Sequence, residues 1–380
     1  MTSLWFLLDM IMALRMFYKS LTQVMKKGKK YVQTSVDFKR RNILQHIKNF
    51  DSLHGFKKLS CRGFCVDRKC ELSQLYIRQT TPDDHDDLVS LRKHVYDGKD
   101  YIPSSYHDLL KCNTGVAGYI DNKMVGFIFA SIIDDGTTVL LQSGRVRIGY
   151  EGLGIVSQLK RYYFRNLPAG VNKSVINTSS PEALRHAQRR GSPVVFQRNA
   201  ITFRTSKTDI NAWFQTIRPN FPTLESVDIH YFKRICRSRE SKTILFPEDR
   251  IVLKRVPYRL LTSNTSHVFS CNPKMFASKC ETEKRPEIPS MMSASTNLSC
   301  EVGMVMYLDL YGDISDVENV TDHVGKQLSY CLDTYEGDIL FLYITCAAQF
   351  SVEDVARVLS VFPLELVGNE VTYCVEETIE

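Results

Sequence analysis

The stretch RVRIGYEGLGIVSQLKRYYF (145–164) places two glycines, Gly152 and Gly154, between a strand-like run and a run with helical periodicity. A strand, a Gly-x-Gly turn and the start of a helix together present several main-chain N–H groups at the positive end of a helix dipole. Such an arrangement binds phosphate, although a tight strand-to-helix connection can also have no ligand. The surrounding sequence has to decide between these two interpretations.

The sequence before the loop has the pattern of antiparallel strands preceded by helices. LYIRQTT (75–81) alternates like a strand, and the acidic start of the next segment, 82–96, is typical of a helix N-terminus. Turn signals at DN and DDG separate the strands that follow. We predict helices over 82–96 and 100–112, and strands over 75–81, 115–121, 123–134 and 137–148.

The sequence after the loop alternates between helices and strands. We predict a helix to about residue 166, a strand over 173–180, a helix over 181–191 and a strand over 193–204. Antiparallel strands therefore come first and βα units follow. The fold class predicted for residues 73–205 is α/β, of the α+β kind, with a mixed sheet flanked by helices.

The remainder of the chain divides into two regions by composition. Residues 206–302 form a connecting region, and its part 262–302 is rich in Ser, Thr, Asn and Pro, which predicts a long loop. Residues 303–380 have the pattern β-α-β-α-β and predict a smaller C-terminal α/β unit. No catalytic constellation is evident in this unit, so we expect it to pack against the first domain or to complete it.

Positive charge is concentrated at the N-terminus. Residues 1–70 hold 15 Lys and Arg against 4 Asp, whereas the rest of the chain holds 34 basic and 38 acidic residues. We expect residues 1–72 to be a basic, poorly ordered extension, with nucleic-acid or acidic-lipid contact as the alternative. The apolar run 3–18 is short for a membrane span and contains Asp9 and Arg15, which favours a surface or packing helix over an anchor.

Eleven cysteines occur without a CxxC pair or a regular spacing. This usage predicts reduced thiols in a cytoplasmic protein rather than a disulfide framework. Cys61, Cys65 and Cys70 lie near His54, but their spacings are not those of common zinc sites. We therefore expect no metal.

The order of elements and the position of the glycine loop resemble the GCN5-related N-acetyltransferase (GNAT) superfamily over about residues 73–205. Three segments resemble the histidine N-acetyltransferases of vertebrates more closely still. They are RQTTPDDHDDLVSLRKHVYDGKDYIPSSYHDLL (78–110), VGFIFASIIDDGTTVLL (125–141) and FPEDRIVLKRVPY (246–258). This resemblance implies transfer of an acetyl group from acetyl-CoA, as co-substrate, to the primary amine of a small molecule, such as the α-amine of L-histidine. No nucleic-acid partner is implied.

In the superfamily, main-chain N–H groups of the glycine loop bind the CoA pyrophosphate. The resemblance transfers this role to the loop and helix start, together with an oxyanion donor on the strand before them and a pantetheine contact on the strand after them. The implied cofactor-binding residues are Val146, Arg147, Ile148, Glu151, Gly152, Leu153, Gly154, Ile155, Val156 and Asn177. Asn177 has helix capping, with Ser179 and Ser180, as its alternative role.

Two loop positions depart from the family pattern. Glu151 replaces the usual Arg or Gln, which puts a negative charge near phosphate, and Val156 adds bulk where a small residue is expected. Both changes weaken the expected CoA binding without abolishing it. Basic side chains near the loop are candidates to compensate, namely Arg145, Arg147, Lys160 and Arg161.

The catalytic positions also depart from the pattern. Many relatives have a Glu general base where this chain has Gln142, which cannot accept a proton but can orient a water molecule. Many have a Tyr acid on the helix after the pantetheine strand, where this chain has Ala187 with His186 beside it. The catalytic candidates are thus Gln142 and His186, the latter with an exposed helical position as its alternative.

The box YDGKDYIPSSY (96–106) covers the acceptor pocket in this superfamily, which suggests Asp97, Tyr101 and Tyr106 as substrate-binding residues; both tyrosines are equally suited to packing.

Three functions are compatible with these features of the sequence. The first is an active N-acetyltransferase for a small amine. The second is a catalytically weak or inactive GNAT-fold binding or scaffold protein, favoured by Glu151, Gln142 and Ala187. The third is nucleic-acid or membrane-surface binding through residues 1–70.

Overall fold

The structure, a computed structural model, is organised around one mixed sheet of twelve strands. It describes residues 72–217, 224–270, 272–278 and 289–379. These belong to one compact unit that begins at residue 69. The expectations for the basic extension, for the apolar run 3–18 and for Cys61, Cys65, Cys70 and His54 fall outside the described residues.

The twelve strands of the large sheet are ordered β1-β2-β3-β4-β5-β14-β6-β13-β12-β11-β10-β7, and β8 and β9 form a separate hairpin. The strands are β1 Tyr76–Gln79, β2 Thr114–Ile120, β3 Lys123–Ile133, β4 Thr138–Val146, β5 Lys173–Thr178, β6 Val194–Ser206, β7 Leu224–Ser226, β8 Arg250–Leu253, β9 Val256–Arg259, β10 Lys274–Ser278, β11 Met291–Cys300, β12 Gly303–Gly312, β13 Ile339–Ala347 and β14 Glu365–Thr378.

Ten α-helices flank the sheet within the described residues. They are α1 His85–Leu91, α2 Ile102–Cys112, α3 Ile155–Phe164, α4 Pro181–Arg189, α5 Lys207–Ile217, α6 Ile229–Arg237, α7 Arg239–Leu245, α8 Thr265–Ser270, α9 Val317–Thr334 and α10 Val352–Val358. Side-chain oxygens accept a hydrogen bond at the start of several of them, as Ser180 does for α4 and Asp316 for α9. The predicted mixed sheet flanked by helices is confirmed.

The sheet consists of two halves, β1–β6 and β7 with β10–β14, and each half contains a single parallel strand pair. These pairs are β4 with β5 and β12 with β13; the other neighbours are antiparallel. The halves exchange their last strands, because β14 lies between β5 and β6, and β6 pairs with β13 on its other edge. The sheet therefore continues across residues 205 and 302, where we expected domain boundaries.

The prediction of one long loop over 262–302 is wrong. This region contains α8, β10 and the ten-residue strand β11, MMSASTNLSC, whose first six residues are buried. Three of its serines have partners inside the protein: the Ser293 and Ser278 hydroxyls bond the two ring nitrogens of His323, each at 2.8 Å, and Ser295 donates to Gln327 at 2.6 Å. A strand rich in Ser and Thr can be buried when a neighbouring helix supplies such partners.

Asp309 on β12 is a buried carboxyl group with a titration that affects stability. Burial raises its pKa to about 7, against the attraction of Arg198 and the hydrogen bond donated by Thr345. Between about pH 4 and 7 the folded state therefore binds more protons at this group than the unfolded state does. Stability must fall as the pH rises through that range.

We expect the difference in unfolding free energy between the Asp309→Asn variant and the wild type to grow in favour of the variant as the pH rises from 4 to 7. The limiting slope is about 1.4 kcal/mol per pH unit, because the amide cannot ionise. Urea denaturation of both proteins at several pH values measures the difference. A difference independent of pH would show that Asp309 titrates normally.

Membrane crossing and metal binding both depend on features of the described residues. None of their helices has the length and apolar character needed to cross a bilayer. No group of three or more His, Cys, Asp and Glu side chains within them could hold a metal ion.

Candidate active site

The first half of the sheet opens between its two parallel strands. Strands β4 and β5 are paired over only three positions, from Thr138 with Lys173 to Leu140 with Val175. The equivalent strands of the second half, β12 and β13, stay paired over six. A bulge on β4, opposite Phe127–Phe129 of β3 and with Ser143 at a φ of 60°, marks the point where β4 bends away. The opening creates a cleft that the second half lacks.

Three cavities adjoin at this opening. The cleft cavity, about 250 Å³, is lined by β4 residues 140–145 and by residues 177–180. The outer cavity, about 690 Å³, shares Tyr101, Gln142 and Lys254 with it. The side cavity, about 250 Å³, shares Tyr96, Arg255 and Tyr307 with the cleft cavity. A molecule held between the strands is therefore reachable from two sides.

The glycine loop lies at the end of β4, in front of α3. Gly152 and Gly154 have φ values of 76° and 77°, which disfavour other residues, and a Cβ at either would meet no atom within 4 Å. Gly154 is the N-cap of α3 and provides no side-chain cap. Open space and main-chain donors thus meet at this helix start. The predicted strand, Gly-x-Gly turn and helix start are confirmed as structure, while pyrophosphate binding there stays a prediction.

Other loop residues have clear structural roles. The Ile155 side chain is buried against the sheet, Leu153 packs against the same cluster, and Val156 is 38% exposed. Ile148 is 72% exposed in the turn. The main chain rather than these side chains is what the loop can offer a phosphate.

Glu151, the departure from the family pattern, folds back onto its own loop. One carboxylate oxygen accepts a hydrogen bond from the Gly149 N–H at 2.7 Å, and the other lies 3.9 Å from Arg92. The carboxylate therefore occupies a main-chain donor of the loop. An anion that binds to the Gly149 N–H would have to displace it.

Three of the four basic side chains considered as compensating charges are engaged elsewhere. Arg145 is buried and forms an ion pair with Asp100 at 2.6 Å, and the Lys160 ammonium donates to Glu377 at 2.5 Å. The Arg147 guanidinium donates to the Met124 carbonyl at 2.6 Å and contacts Ser90. The expectation that they serve a phosphate is wrong for this arrangement of side chains; Arg161 is exposed.

One main-chain donor points into the opening. The Arg147 N–H donates to the Val125 carbonyl at 2.9 Å, so it is directed towards β3 and is not available to a ligand. Successive N–H groups along a strand point to opposite edges, which directs the Val146 N–H towards the gap between β4 and β5. Of the oxyanion donors predicted at 146–148, Val146 has the suitable orientation.

Two amide side chains line the cleft. Gln142 donates to the Asn113 side-chain oxygen at 2.8 Å, and its amide has no basic group to take a proton. Asn177 donates to the Arg255 carbonyl at 2.9 Å, and its Oδ1 is buried without a partner among the described residues. Ser180, not Asn177, caps α4. Asn177 therefore lines the cleft and holds an unsatisfied acceptor buried beside it.

The predicted acid and substrate residues separate into different places. His186 is exposed on α4 and lines none of the three cavities. Asp97 is exposed at the side cavity. Tyr101 stands between the cleft and outer cavities, edge-on to Tyr307, and burial raises its pKa to about 12, so it stays a hydrogen-bond donor at neutral pH.

Tyr106 requires a correction, because it is a core residue. It is fully buried against Phe127 and Phe129, and its hydroxyl donates to the Thr81 carbonyl at 2.8 Å. It lines none of the three cavities. Although Tyr106 is close to Tyr101 in sequence, its position on α2 directs its side chain into the core of the first half of the sheet.

We expect the Tyr106→Phe variant to lose about 1 kcal/mol of unfolding free energy, since one buried hydrogen bond is removed and the Thr81 carbonyl loses its donor. Steady-state kinetics with any amine that the wild type uses should stay within twofold. Denaturant unfolding and initial rates measure the two quantities. A large change in the KM for the amine would return Tyr106 to the substrate site.

Several cleft residues were missed from the sequence. Asp100 and Arg145 pair across the cleft wall, and Tyr307 reaches it from the second half of the sheet. Lys254 and Arg255 reach it from the turn of the β8–β9 hairpin. Their signal was two adjacent basic residues between strand-like runs, which by itself is typical of a solvent-exposed turn.

Comparisons with known proteins agree with this architecture. A family model described as "Histidine N-acetyltransferase, C-terminal" matches residues 220–346. Histidine N-acetyltransferases of Xenopus tropicalis and Oreochromis niloticus are 30% and 29% identical over 79 and 84 residues, 20% and 22% of this chain. The matches cover 24% and 25% of those relatives, so the chain spans about a quarter of the length of the curated relatives it matches.

Among solved structures, a tandem GNAT protein from the clavulanic acid biosynthesis pathway is similar, with a TM-score of 0.51 at 10% identity. The likeness covers 80% of this chain and 98% of that protein. The predicted GNAT fold and the resemblance to histidine N-acetyltransferases are confirmed. The sheet of this chain is built from two halves, and the similar structure is described as a tandem protein.

Proposed function

We propose that this protein transfers an acetyl group from acetyl-CoA to the primary amine of a small molecule, the α-amine of L-histidine or of a similar amino acid. The proposal depends on the opening between β4 and β5 in the first half of the sheet, which the equivalent strands of the second half, β12 and β13, do not have. The match to histidine N-acetyltransferases supports the choice of amine.

We expect acetyl-CoA to make three kinds of contact, at the glycine loop, on β5 and at the end of β4. Main-chain N–H groups at 152–156 suit the pyrophosphate, because phosphate is bound by the backbone at a helix N-terminus. The unpartnered Asn177 Oδ1 suits an amide N–H of the pantetheine arm. The Val146 N–H suits the thioester oxygen, on which negative charge develops.

The reaction places a further demand on the amine. An ammonium ion has no lone pair, so it must lose a proton before its nitrogen attacks the thioester carbon. The C–N bond forms, the C–S bond breaks, the nitrogen gives up a second proton to become the amide, and the CoA thiolate takes up a proton. Gln142 can orient the water molecule that receives the amine proton, and the Tyr101 hydroxyl can donate a hydrogen bond to the leaving thiolate.

A catalytically weak or inactive binding protein is the second candidate. Two observations favour it: Glu151 occupies the Gly149 N–H, and Gln142 stands where a basic carboxylate would be most useful. Such a protein would bind acetyl-CoA without turnover. We place either protein in the cytoplasm, because the six cysteines in the described part of the chain are free thiols.

The test is release of free CoA by the purified full-length protein, given acetyl-CoA and each of the twenty amino acids in turn. We expect one strong responder, L-histidine, with N-acetylhistidine identified as product by mass spectrometry. No release with any amino acid, while acetyl-CoA still raises the melting temperature, would replace the enzyme with the silent binding protein. Neither release nor a thermal shift would refute both.

A further inference from the structure

The turn of the β8–β9 hairpin is strained and points into the cleft. Its two central residues, Lys254 and Arg255, both have a left-handed backbone, with φ values of 49° and 68°. This turn type strongly favours Asn-Gly, because residues with longer side chains pay a steric cost at positive φ. Strain of this kind persists where a function needs the side chains in place. The hairpin belongs to no larger sheet among the described residues.

The two side chains reach three cavities between them. Lys254 lines the cleft and outer cavities, and Arg255 lines the cleft and side cavities. The Arg255 side chain is only 20% exposed. The Asn177 amide holds the Arg255 carbonyl at 2.9 Å, which ties the turn to β5 at the opening. The turn is thus fixed in position beside the place where the acetyl group would be transferred.

The Arg255 guanidinium is buried with little negative charge to balance it. Its Nη2 donates to the Ser179 hydroxyl at 3.0 Å and lies 3.4 Å from Glu370. That Glu370 oxygen also accepts a hydrogen bond from Tyr343 at 2.5 Å, so its charge is shared. The remaining guanidinium N–H groups make no hydrogen bond to the described residues. A guanidinium with free donors is suited to a carboxylate, which it binds through two parallel hydrogen bonds.

Aromatic rings define the shape of the place beside Arg255. The guanidinium lies 5.4 Å from the centre of the Tyr343 ring and 5.9 Å from that of Tyr96, and Tyr307 packs beside Tyr343. Rings within about 6 Å attract a guanidinium and thereby favour its position at the wall of the side cavity. Lys99, also at the side cavity, is already paired with Asp97 at 3.5 Å, which leaves Arg255 as the cation available to a ligand there.

We propose that Lys254 and Arg255, at the tip of the β8–β9 hairpin, bind the carboxylate of the acceptor and thereby restrict the substrate to free amino acids. This inference rests on the proposed function and names the residues that select its substrate. The carboxylate binds to the Arg255 fork with Lys254 beside it, and the amine faces the β4 edge near Val146. Amines without a carboxylate, and amino acids whose carboxylate is in a peptide bond, leave the remaining Arg255 N–H groups, those not facing Ser179 and Glu370, without an acceptor and are rejected.

The experiment compares L-histidine with histamine, which has the same ring and amine but lacks the carboxylate. The wild type, Arg255→Met and Arg255→Lys are assayed for CoA release, and acetyl-CoA affinity is measured by calorimetry. Arg357→Met is the matched control, because Arg357 lies on α10 with a 76% exposed side chain. It removes an arginine remote from the three cavities.

We expect the wild type to prefer L-histidine, and Arg255→Met to raise the KM for L-histidine by about 100-fold, the loss typical of a charged hydrogen-bond pair. The preference of Arg255→Met for L-histidine over histamine should therefore be lost, while its acetyl-CoA affinity stays within twofold of the wild type. Arg255→Lys should recover part of the increase in KM for L-histidine. Arg357→Met matches the wild type. A wild type that uses histamine as well as L-histidine would overturn the inference and leave the proposed function intact.

Two further outcomes would also overturn it. If Arg255→Met weakened the binding of acetyl-CoA, the guanidinium would bind the cofactor instead of the substrate. If the variant lowered the rates with both amines equally, the role of Arg255 would be structural. Should the wild type release no CoA with any amine, calorimetric titration with L-histidine and histamine still decides. Binding of L-histidine alone, lost in Arg255→Met, would support the carboxylate site, and no binding of either would refute it.

Discussion

The Gly154→Val variant is expected to lose measurable acetyl-CoA binding. Gly154 is the N-cap of α3, and a Cβ built there meets open space in front of the helix, where the pyrophosphate would have to approach the main chain. Losing two charge-assisted hydrogen bonds costs about 3 kcal/mol or more, which is over 100-fold in affinity. Isothermal calorimetry with acetyl-CoA measures the change.

The control for backbone strain is Gly136→Val. Gly136 has a φ of 78°, compared with 77° for Gly154, and a Cβ at Gly136 would also meet nothing within 4 Å. It lies in the turn between β3 and β4, remote from the glycine loop. Both substitutions should cost about 1–2 kcal/mol of stability, but only the one at Gly154 should lose acetyl-CoA. Equal affinities in the two variants would refute phosphate binding at this loop.

The local elements of the first half were predictable because their signals are local. The alternation in 75–81, the acidic start of the helix that follows and the Gly-x-Gly turn each depend on neighbouring residues. Strand β11 was missed because two of its serines, Ser293 and Ser295, have their partners on α9, distant in sequence. Polarity indicated a loop where long-range hydrogen bonds make a buried strand.

The candidate site could be predicted where it is built from one segment. Gly152, Gly154 and Val146 belong to the same short stretch, from which the structure forms the predicted strand, turn and helix start. Lys254 and Arg255 come from a hairpin about a hundred residues later in the chain and enter the cleft only through the tertiary fold. Neither periodicity nor spacing carries that information.

Strand exchange makes the C-terminal strand a central element of the sheet, so we expect Glu376→Gln to be strongly destabilising. Glu376 on β14 lies at 12% exposure among three cations: Lys173 at 2.7 Å, Arg250 at 2.5 Å and Arg259 at 3.2 Å. Arg250 is itself only 6% exposed, and its Nη1 has no partner among the described residues. Removing the one carboxylate that these cations share leaves buried positive charge uncompensated, which costs about 3–5 kcal/mol.

The dependence of this effect on pH identifies its cause. Burial alone would raise the pKa of Glu376, but the Lys173 hydrogen bond and the charges of Arg250 and Arg259 hold it below the usual value. Its ionised form therefore stabilises the fold above the ordinary Glu pKa of about 4.3, and that contribution is lost as the pH falls through the lower folded value. In urea denaturation, the difference in unfolding free energy between wild type and Glu376→Gln should be full at pH 7 and shrink below pH 4.

The control is Glu365→Gln, an exposed change on the same strand, which should shift the unfolding free energy by less than about 0.5 kcal/mol at either pH. If Glu376→Gln were equally mild, the three cations would be adequately solvated without it, and β14 would owe its place in the sheet to backbone pairing and apolar packing alone.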